Sequence, residues 1–204
     1  MSQLKLTADS GGGTVAIKGP SSTTGNAAIE LTVPGTGSGT LAVGDTGKIL
    51  QVVQVVKTSK QSVQSQTMVD ISGFELTITP SSASSKILLT STITACCHAS
   101  GVFNLLRQVG SNSYAQLDAF KGDADGSRLQ ATMHMGQTQT SNTSERSMMV
   151  LDSPNTTSAV KYKWQIGTPY HSTYVIVINS SITDSNENYY SRTISTMTAM
   201  EVAA

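Results

Sequence analysis

Residues 160–166 read VKYKWQI, a stretch that alternates strictly between apolar and polar side chains. The apolar positions are Val160, Tyr162, Trp164 and Ile166, and the positions between them hold two lysines and a glutamine. Because successive side chains of a β-strand point to opposite faces, this period of two predicts a strand with one buried face. Trp164 lies on the apolar side, so we expect it in the core and not on a binding surface.

The same signal recurs along the chain, whereas helical periodicity is nearly absent. The further predicted strands are Lys48–Val56 (KILQVVQVV), Lys86–Ala95 (KILLTSTITA), Leu129–Met135, Tyr174–Asn179 (YVIVIN) and Arg192–Val202 (RTISTMTAMEV). The YVIVIN run suits a strand buried on both faces, and the last strand is expected to be central in its sheet. Turns rich in Gly, Asn, Asp and Ser separate the strands, which predicts an all-β, jelly-roll-like β-sandwich.

The charge balance bears on possible partners. The chain has 13 basic and 13 acidic residues, and its formal net charge is +0. A neutral chain has no field that would steer it onto nucleic acid or an anionic membrane, and no apolar run reaches the roughly 18 residues of a membrane span. We therefore expect neither a nucleic-acid partner nor membrane insertion.

The adjacent cysteines and the start of the chain indicate where the protein folds. Cys96 and Cys97 are neighbours, and disulfide geometry does not fit an ordinary peptide unit between them. The first residues lack the apolar core of a signal peptide. We expect two free thiols in a protein made in a reducing cytosol.

Residues 1–46 differ in composition from residues 47–204, and we place a boundary between them. Glycines and prolines interrupt this N-terminal segment, which has too few apolar side chains to bury a core of its own. Its short alternating pieces suit strand addition to another surface. The sequence predicts a short N-terminal β arm that docks through Val15, Ile17, Ile29, Leu31 and Val33, followed by a jelly-roll domain over 47–204.

Several blocks of the sequence resemble virion proteins. Residues 12–34 (GGTVAIKGPSSTTGNAAIELTVP) resemble the opening of small structural proteins of tailed phages, most of all marine cyanobacterial phages. The blocks that follow are GKILQVV (47–53), ITPSSASSKIL (78–88), LDSPNTT (151–157) and MEVAA (200–204). They are similar to the jelly-roll module found at the ends of phage fibres and in related virion proteins.

This resemblance implies a homotrimer in the virion, made in the host cytoplasm and in contact with other capsid or tail proteins. The leading interpretation is a fibre, spike or knob component involved in host attachment. The alternative is a capsid decoration (cement) protein that stabilises the head. A carbohydrate-active enzyme is a third hypothesis, but the sequence has no identifiable nucleophile with its base, so we expect a non-enzymatic protein without cofactors.

Two clusters were considered as metal sites. Cys96, Cys97 and His98 are adjacent, but neighbouring residues of a strand point to opposite faces, which disfavours zinc binding. Asp123 and Asp125, with Asp118 nearby, leave the calcium-loop pattern incomplete, and a Gly-flanked hairpin turn is the favoured explanation. We expect no metal site in this protein, although the sequence does not decide whether Asp123 and Asp125 bind calcium.

Aromatic side chains concentrate in the last third of the chain, where they offer a contact surface. Exposed tyrosines stack on sugar rings and anchor interfaces. Tyr189 and Tyr190 follow the polar turn 184–188, so at least one of them is expected to face solvent. These two tyrosines are the candidate contact surface, and a glycan of the host surface is the candidate ligand.

Overall fold

The structure is a computed structural model that describes residues 3–7, 14–18 and 48–204. The chain forms two compact units, Met1–Val43 and Gly44–Ala204. In the first unit, β1 (Gln3–Thr7) and β2 (Thr14–Lys18) pair antiparallel, with Gln3 opposite Lys18. Val15 and Ile17 of the predicted arm lie on β2, whereas Ile29, Leu31 and Val33 lie outside the described residues.

In the second unit, residues 48–204 form ten strands and one short 3-10 helix (Asp118–Phe120). The strands are β3 (Ile49–Lys57), β4 (Gln61–Val63), β5 (Val69–Ile78), β6 (Lys86–Cys97), β7 (Ser100–Val109), β8 (Met133–Gly136), β9 (Ser144–Asp152), β10 (Val160–Gly167), β11 (Ile176–Ile178) and β12 (Ser195–Val202).

Two antiparallel sheets divide these strands. The smaller sheet has the order β5-β10-β7-β8. In the larger sheet β6 pairs with β9 along one edge and with β12 and β11 along the other, and β3 and β4 follow outside β12 and β11. The two sheets form a β-sandwich, so the predicted all-β, jelly-roll-like fold is confirmed. The expected central position of the last strand is also confirmed, because β12 lies between β3 and β6.

The core fills the space between the sheets. Val160, Tyr162, Trp164 and Ile166 are all buried, as the alternation in VKYKWQI predicted. All three residues of β11 are buried, which agrees with the expectation for the YVIVIN run. The larger sheet meets these side chains with Ile87, Leu89 and Ile93 of β6 and with Met197 and Ala199 of β12.

Three predicted strands are shorter than expected: β11 covers only Ile176–Ile178, β12 begins at Ser195, and β8 departs most from its prediction. The alternation from Leu129 to Met135 predicted a single strand, but β8 begins only at Met133, and Leu129 is 51% exposed. The ladder between β8 and β7 covers only residues 133–136 and 100–103. Thr132 makes the last contacts with β7, where its N–H donates to the Phe103 carbonyl and its hydroxyl accepts from the Leu105 N–H. The residues before Thr132 form a loop.

Polar side chains also join the two sheets inside the core. The Trp164 indole N–H donates to the Ser91 hydroxyl at 2.9 Å. Asp152 of β9 accepts from the Tyr162 hydroxyl at 2.6 Å and from the Arg107 guanidinium at 2.8 and 2.9 Å. Because buried polar groups are stable only when they are paired, these contacts define how the sheets face one another.

Asn179 connects three strands of the larger sheet where β11 ends. It is fully buried with φ of 58°, a left-handed conformation that Asn tolerates better than most residues. Its side-chain amide donates to the Lys57 carbonyl at 2.8 Å, and its side-chain oxygen accepts from the Ser195 hydroxyl at 2.6 Å. Its backbone N–H donates to the Thr94 carbonyl at 2.9 Å.

Replacing Asn179 tests this junction. Asn179→Gly keeps the backbone conformation but leaves Ser195 and the Lys57 carbonyl without their partner, so we expect a loss of roughly 2–4 kcal/mol in the free energy of unfolding. Asn179→Ala adds the penalty of a left-handed backbone, about 1 kcal/mol more. Urea unfolding measures both variants, and equal stability of the two variants and the wild type would contradict the assigned role.

Glu201 is a buried carboxylate on the core face of β12. Burial alone would raise the pKa of this carboxyl, but hydrogen bonds outweigh burial and hold the pKa at about 2. The donors are the hydroxyl and backbone N–H of Ser81, each at 2.7 Å, and the side-chain amide of Gln51 at 2.6 Å. The ionised carboxylate therefore attaches the loop after β5, and the edge strand β3, to β12.

The lowered pKa predicts a contribution to acid sensitivity. A carboxyl with a folded pKa of about 2 and an ordinary value of 4.5 stabilises the fold fully above pH 4.5, and this contribution is lost as the pH falls toward 2. We expect Glu201→Gln to have a lower Tm than the wild type at pH 7, with a difference that narrows between pH 4.5 and 2. Thermal melts across this range check it, with Glu145→Gln as a control for removing one surface charge. A constant difference in Tm would contradict the prediction.

Candidate functional site

The loop between β11 and β12 carries the two tyrosines that the sequence singled out. Tyr189 is 68% exposed, and Tyr190 is partly covered. Their ring centroids lie 4.5 Å apart at an interplanar angle of 46°. Tyr190 therefore supports the Tyr189 ring from one side and leaves most of Tyr189 facing solvent.

A shallow pocket of about 270 Å³ opens beside Tyr189. Its lining is uncharged and comprises Ser141, Asn142, Thr143, Ser181, Tyr189 and Ser191. Two loops build it, and they are joined where Thr183 donates its N–H to the Thr140 carbonyl at 2.8 Å. We call this site the Tyr189 pocket. An aromatic face with surrounding hydroxyl and amide groups suits a ligand with an apolar ring face and several hydroxyl groups.

Ion pairs fix the loop that carries the tyrosines. Asp184 accepts from Lys60 at 2.6 Å and from Arg192 at 2.9 Å. Hydrogen bonds from Lys60 and then Arg192 lower the pKa of the Asp184 carboxyl. Arg192 also donates to the Ser180 hydroxyl, so the two ends of the loop are tied together. The Tyr189 pocket therefore belongs to a loop with internal support.

A second concavity lies at the end of the sandwich and was missed by the sequence analysis. It has a volume of about 600 Å³ and is lined by Ser127, Arg128, Leu129, Ala131, His134, Pro169 and Tyr170. His134 meets Tyr170 edge to face at 6.4 Å and shares a 2.8 Å hydrogen bond with the Ser100 hydroxyl. Its residues come from distant parts of the chain, so no local motif signals it.

The sequence-derived metal candidates are not brought together. Asp118 pairs with Lys121 at 2.9 Å, and Asp125 pairs with Arg128. His98 packs edge to face against Tyr174 at 5.8 Å. Across residues 3–7, 14–18 and 48–204, no group of three or more His, Cys, Asp or Glu side chains is arranged to hold a metal ion.

Cys96 and Cys97 are free thiols, as expected, and both are buried. The Cys96 sulfur lies 3.2 Å from the Thr138 hydroxyl, beneath the loop that follows β8. Cys97 faces the core, and burial raises the pKa of its thiol.

The burial of both thiols predicts low reactivity. Because the thiolate is the reactive species and neither sulfur reaches solvent, we expect no reaction of the native protein with a thiol reagent such as DTNB within an hour at pH 8. Denaturant should expose two thiols per chain. A Cys96→Ser variant, which should show one thiol in denaturant, controls the count. Fast labelling under native conditions would contradict the described packing.

No protein-family model matches the sequence, and no curated protein matches it. Among solved structures, the chain is similar to a chain in the structure of infectious bursal disease virus Gx strain, with a TM-score of 0.40 and 13% sequence identity. The similarity covers 84% of this chain and 43% of that chain, so this chain spans less than half the length of its neighbour. Within the described part of the chain, no helix is long and apolar enough to cross a bilayer.

Proposed function

We propose that this protein is a non-enzymatic structural component of a tailed-phage particle, a fibre, spike or knob that contacts a glycan of the host surface. The observation that carries the proposal is the Tyr189 pocket, in which a 68% exposed tyrosine stands beside an uncharged polar depression. The resemblance of the sequence to phage fibre modules supports the same role. The protein is made in the host cytoplasm and acts in the virion.

The chemistry of the pocket favours a neutral saccharide. The flat ring of Tyr189 offers a stacking surface to the apolar face of a sugar ring. Hydroxyl groups and the Asn142 side chain both donate and accept hydrogen bonds, as sugar hydroxyls do. The pocket presents no charged side chain that would select an acidic sugar. Its open shape suits a terminal or branching residue of a larger polysaccharide.

Self-assembly and docking complete the proposal. The homotrimer follows from the resemblance to phage fibre modules. Residues 1–46 act as the docking arm, and Val15, Ile17, Ile29, Leu31 and Val33 supply its apolar contacts to sister subunits or to a capsid or tail protein. An edge strand added to a sheet gains backbone hydrogen bonds as well as apolar burial, which offsets the entropy of ordering such a glycine-rich arm.

The glycan contact predicts binding that depends on Tyr189. On a glycan array, the full chain should bind neutral saccharides, and Tyr189→Ala should weaken this binding by roughly 10-fold or more, because truncating an exposed aromatic anchor typically costs more than 1 kcal/mol. Tyr114→Ala, at a half-buried tyrosine that lines neither concavity, is the control and should bind as the wild type does.

Two outcomes would overturn the proposed attachment role. One is equal glycan binding by Tyr189→Ala and the wild type. The other is immunogold labelling of whole phage particles on the head and not at fibre or tail tips, which would assign the protein as a decoration protein. Release of sugar products from a bound polysaccharide, abolished by substituting one Asp or Glu, would overturn the non-enzymatic assignment.

A further inference from the structure

Within residues 48–204, the outward face of the larger sheet is open along much of its length. In β3, β12, β6 and β9 the side chains alternate, and those opposite to the core side chains point outward. Toward the end of β6 that carries Cys96, the loop after β8 covers this face. The remaining part, which we call the outer face, spans four adjacent strands.

The strand register aligns the outer face into three rows of four side chains. The first row is Val52, Met200, Leu88 and Leu151, the second is Gln54, Thr198, Thr90 and Met149, and the third is Val56, Thr196, Thr92 and Ser147. The first row is apolar across all four strands. Cross-strand hydrogen bonds from Gln54 to Thr198 at 2.9 Å, and between Thr92 and Ser147 at 3.0 Å, satisfy polar groups within the other rows.

Four of the six apolar side chains of these rows are strongly exposed, and the other two, Leu88 and Met200, are partly covered. Met149 is 70% exposed, Val52 and Leu151 are each 57% exposed, and Val56 is 45% exposed. Single exposed apolar residues are ordinary, but a contiguous set on one flat face marks an interaction surface. None of the side chains in the three rows is charged.

We propose that the outer face is a contact between two copies of this chain, packed sheet against sheet. This inference rests on the proposed self-assembly and names the surface that mediates it. Each copy uses the same face, so the contact is two-fold, and it joins either two single chains or two trimers.

Charge favours a second copy as the occupant. An uncharged face meets an identical face without like-charge repulsion and without burying an unpaired charge. On this side of β6 and β9, the nearest charged side chains are Lys86, beside the first row, and Glu145, beyond the third row. A second copy turned end for end brings its Lys86 toward Glu145 of the first copy and its Glu145 toward Lys86, so the charges at both ends are complementary.

The size of the outer face also suits a stable contact. The three rows, together with the Lys86 position at one end and the Thr94–Glu145 pair at the other, span nine residues of β6. Four strands at about 4.8 Å spacing and nine residues at about 3.3 Å each give a contact face of roughly 20 Å by 30 Å, charged ends included. Two such faces together bury on the order of 1,200 Å², which is the lower limit of specific protein–protein interfaces.

The test measures the mass of the full chain by light scattering. At micromolar concentration, the mass of the wild type should correspond to an even number of chains, either a dimer or a hexamer. Met149→Glu and Leu151→Glu should halve it, because each copy then buries a carboxylate, and the association should weaken by roughly 100-fold or more. Leu129→Glu, at a leucine 51% exposed but outside the outer face, is the matched control and should keep the wild-type mass.

A second variant covers the case in which the charged variants fold poorly. Met149→Cys is a small change at a 70% exposed position in the middle row, where the end-for-end arrangement brings the two copies of residue 149 near each other. Oxidation should link two chains through this residue, whereas Leu129→Cys should stay unlinked. Unlinked Met149→Cys chains in a self-associating protein would overturn the inference.

The remaining outcomes separate the inference from the proposed function. A trimer whose mass is unchanged by Met149→Glu and Leu151→Glu would leave the proposed self-assembly standing and overturn the role of the outer face. A wild-type monomer at micromolar concentration would overturn both. Glycan binding through Tyr189 is measured separately and is unaffected by either result.

Discussion

The structure depends on the two-sided pairing of β6. Its residues bond to β9 on one edge and to β12 or β11 on the other, so most side chains of β6 are assigned to the core or to the outside by strands on both edges. A slip of one residue would turn Ile87, Leu89 and Ile93 out of the core and Leu88 and Thr90 into it. This constraint fixes the core and the outer face together, because they are opposite sides of one register.

Buried polar groups add specificity to this apolar alternation. Asp152, at the end of β9, accepts hydrogen bonds from Arg107 and Tyr162 of the opposite sheet, so the position of β9 beside β6 also determines how the sheets are aligned. Asn179 and Glu201 fix the alignment of strands within the larger sheet, since each joins β12 to a segment distant in sequence. Such groups lose their partners in any alternative register, which penalises misfolded arrangements more than an apolar core alone would.

The alternation of side chains was readable from the sequence, but its three-dimensional alignment was not. VKYKWQI showed which side of β10 is buried, and the polar turn before Tyr189 indicated that a tyrosine would face solvent. The shortness of β8 was not visible, because the alternation at Leu129 continues beyond the ladder with β7, whose next part pairs with Ala115 at Arg107. Which rows of four strands align depends on register, and residues from separate loops meet in the Tyr189 pocket, so neither feature has a local signature in the sequence.

The central place of β12 has a consequence for the order of events during synthesis. The ribosome makes β3 and β6 long before β12, yet β12 must enter between them. Until its last strand emerges, the growing chain cannot close the larger sheet, and the facing edges of β3 and β6 carry unpaired amides. Non-local pairing of this kind is slow, so the larger sheet is completed only after β12 has left the exit tunnel. Chaperone protection is then needed most in this late interval.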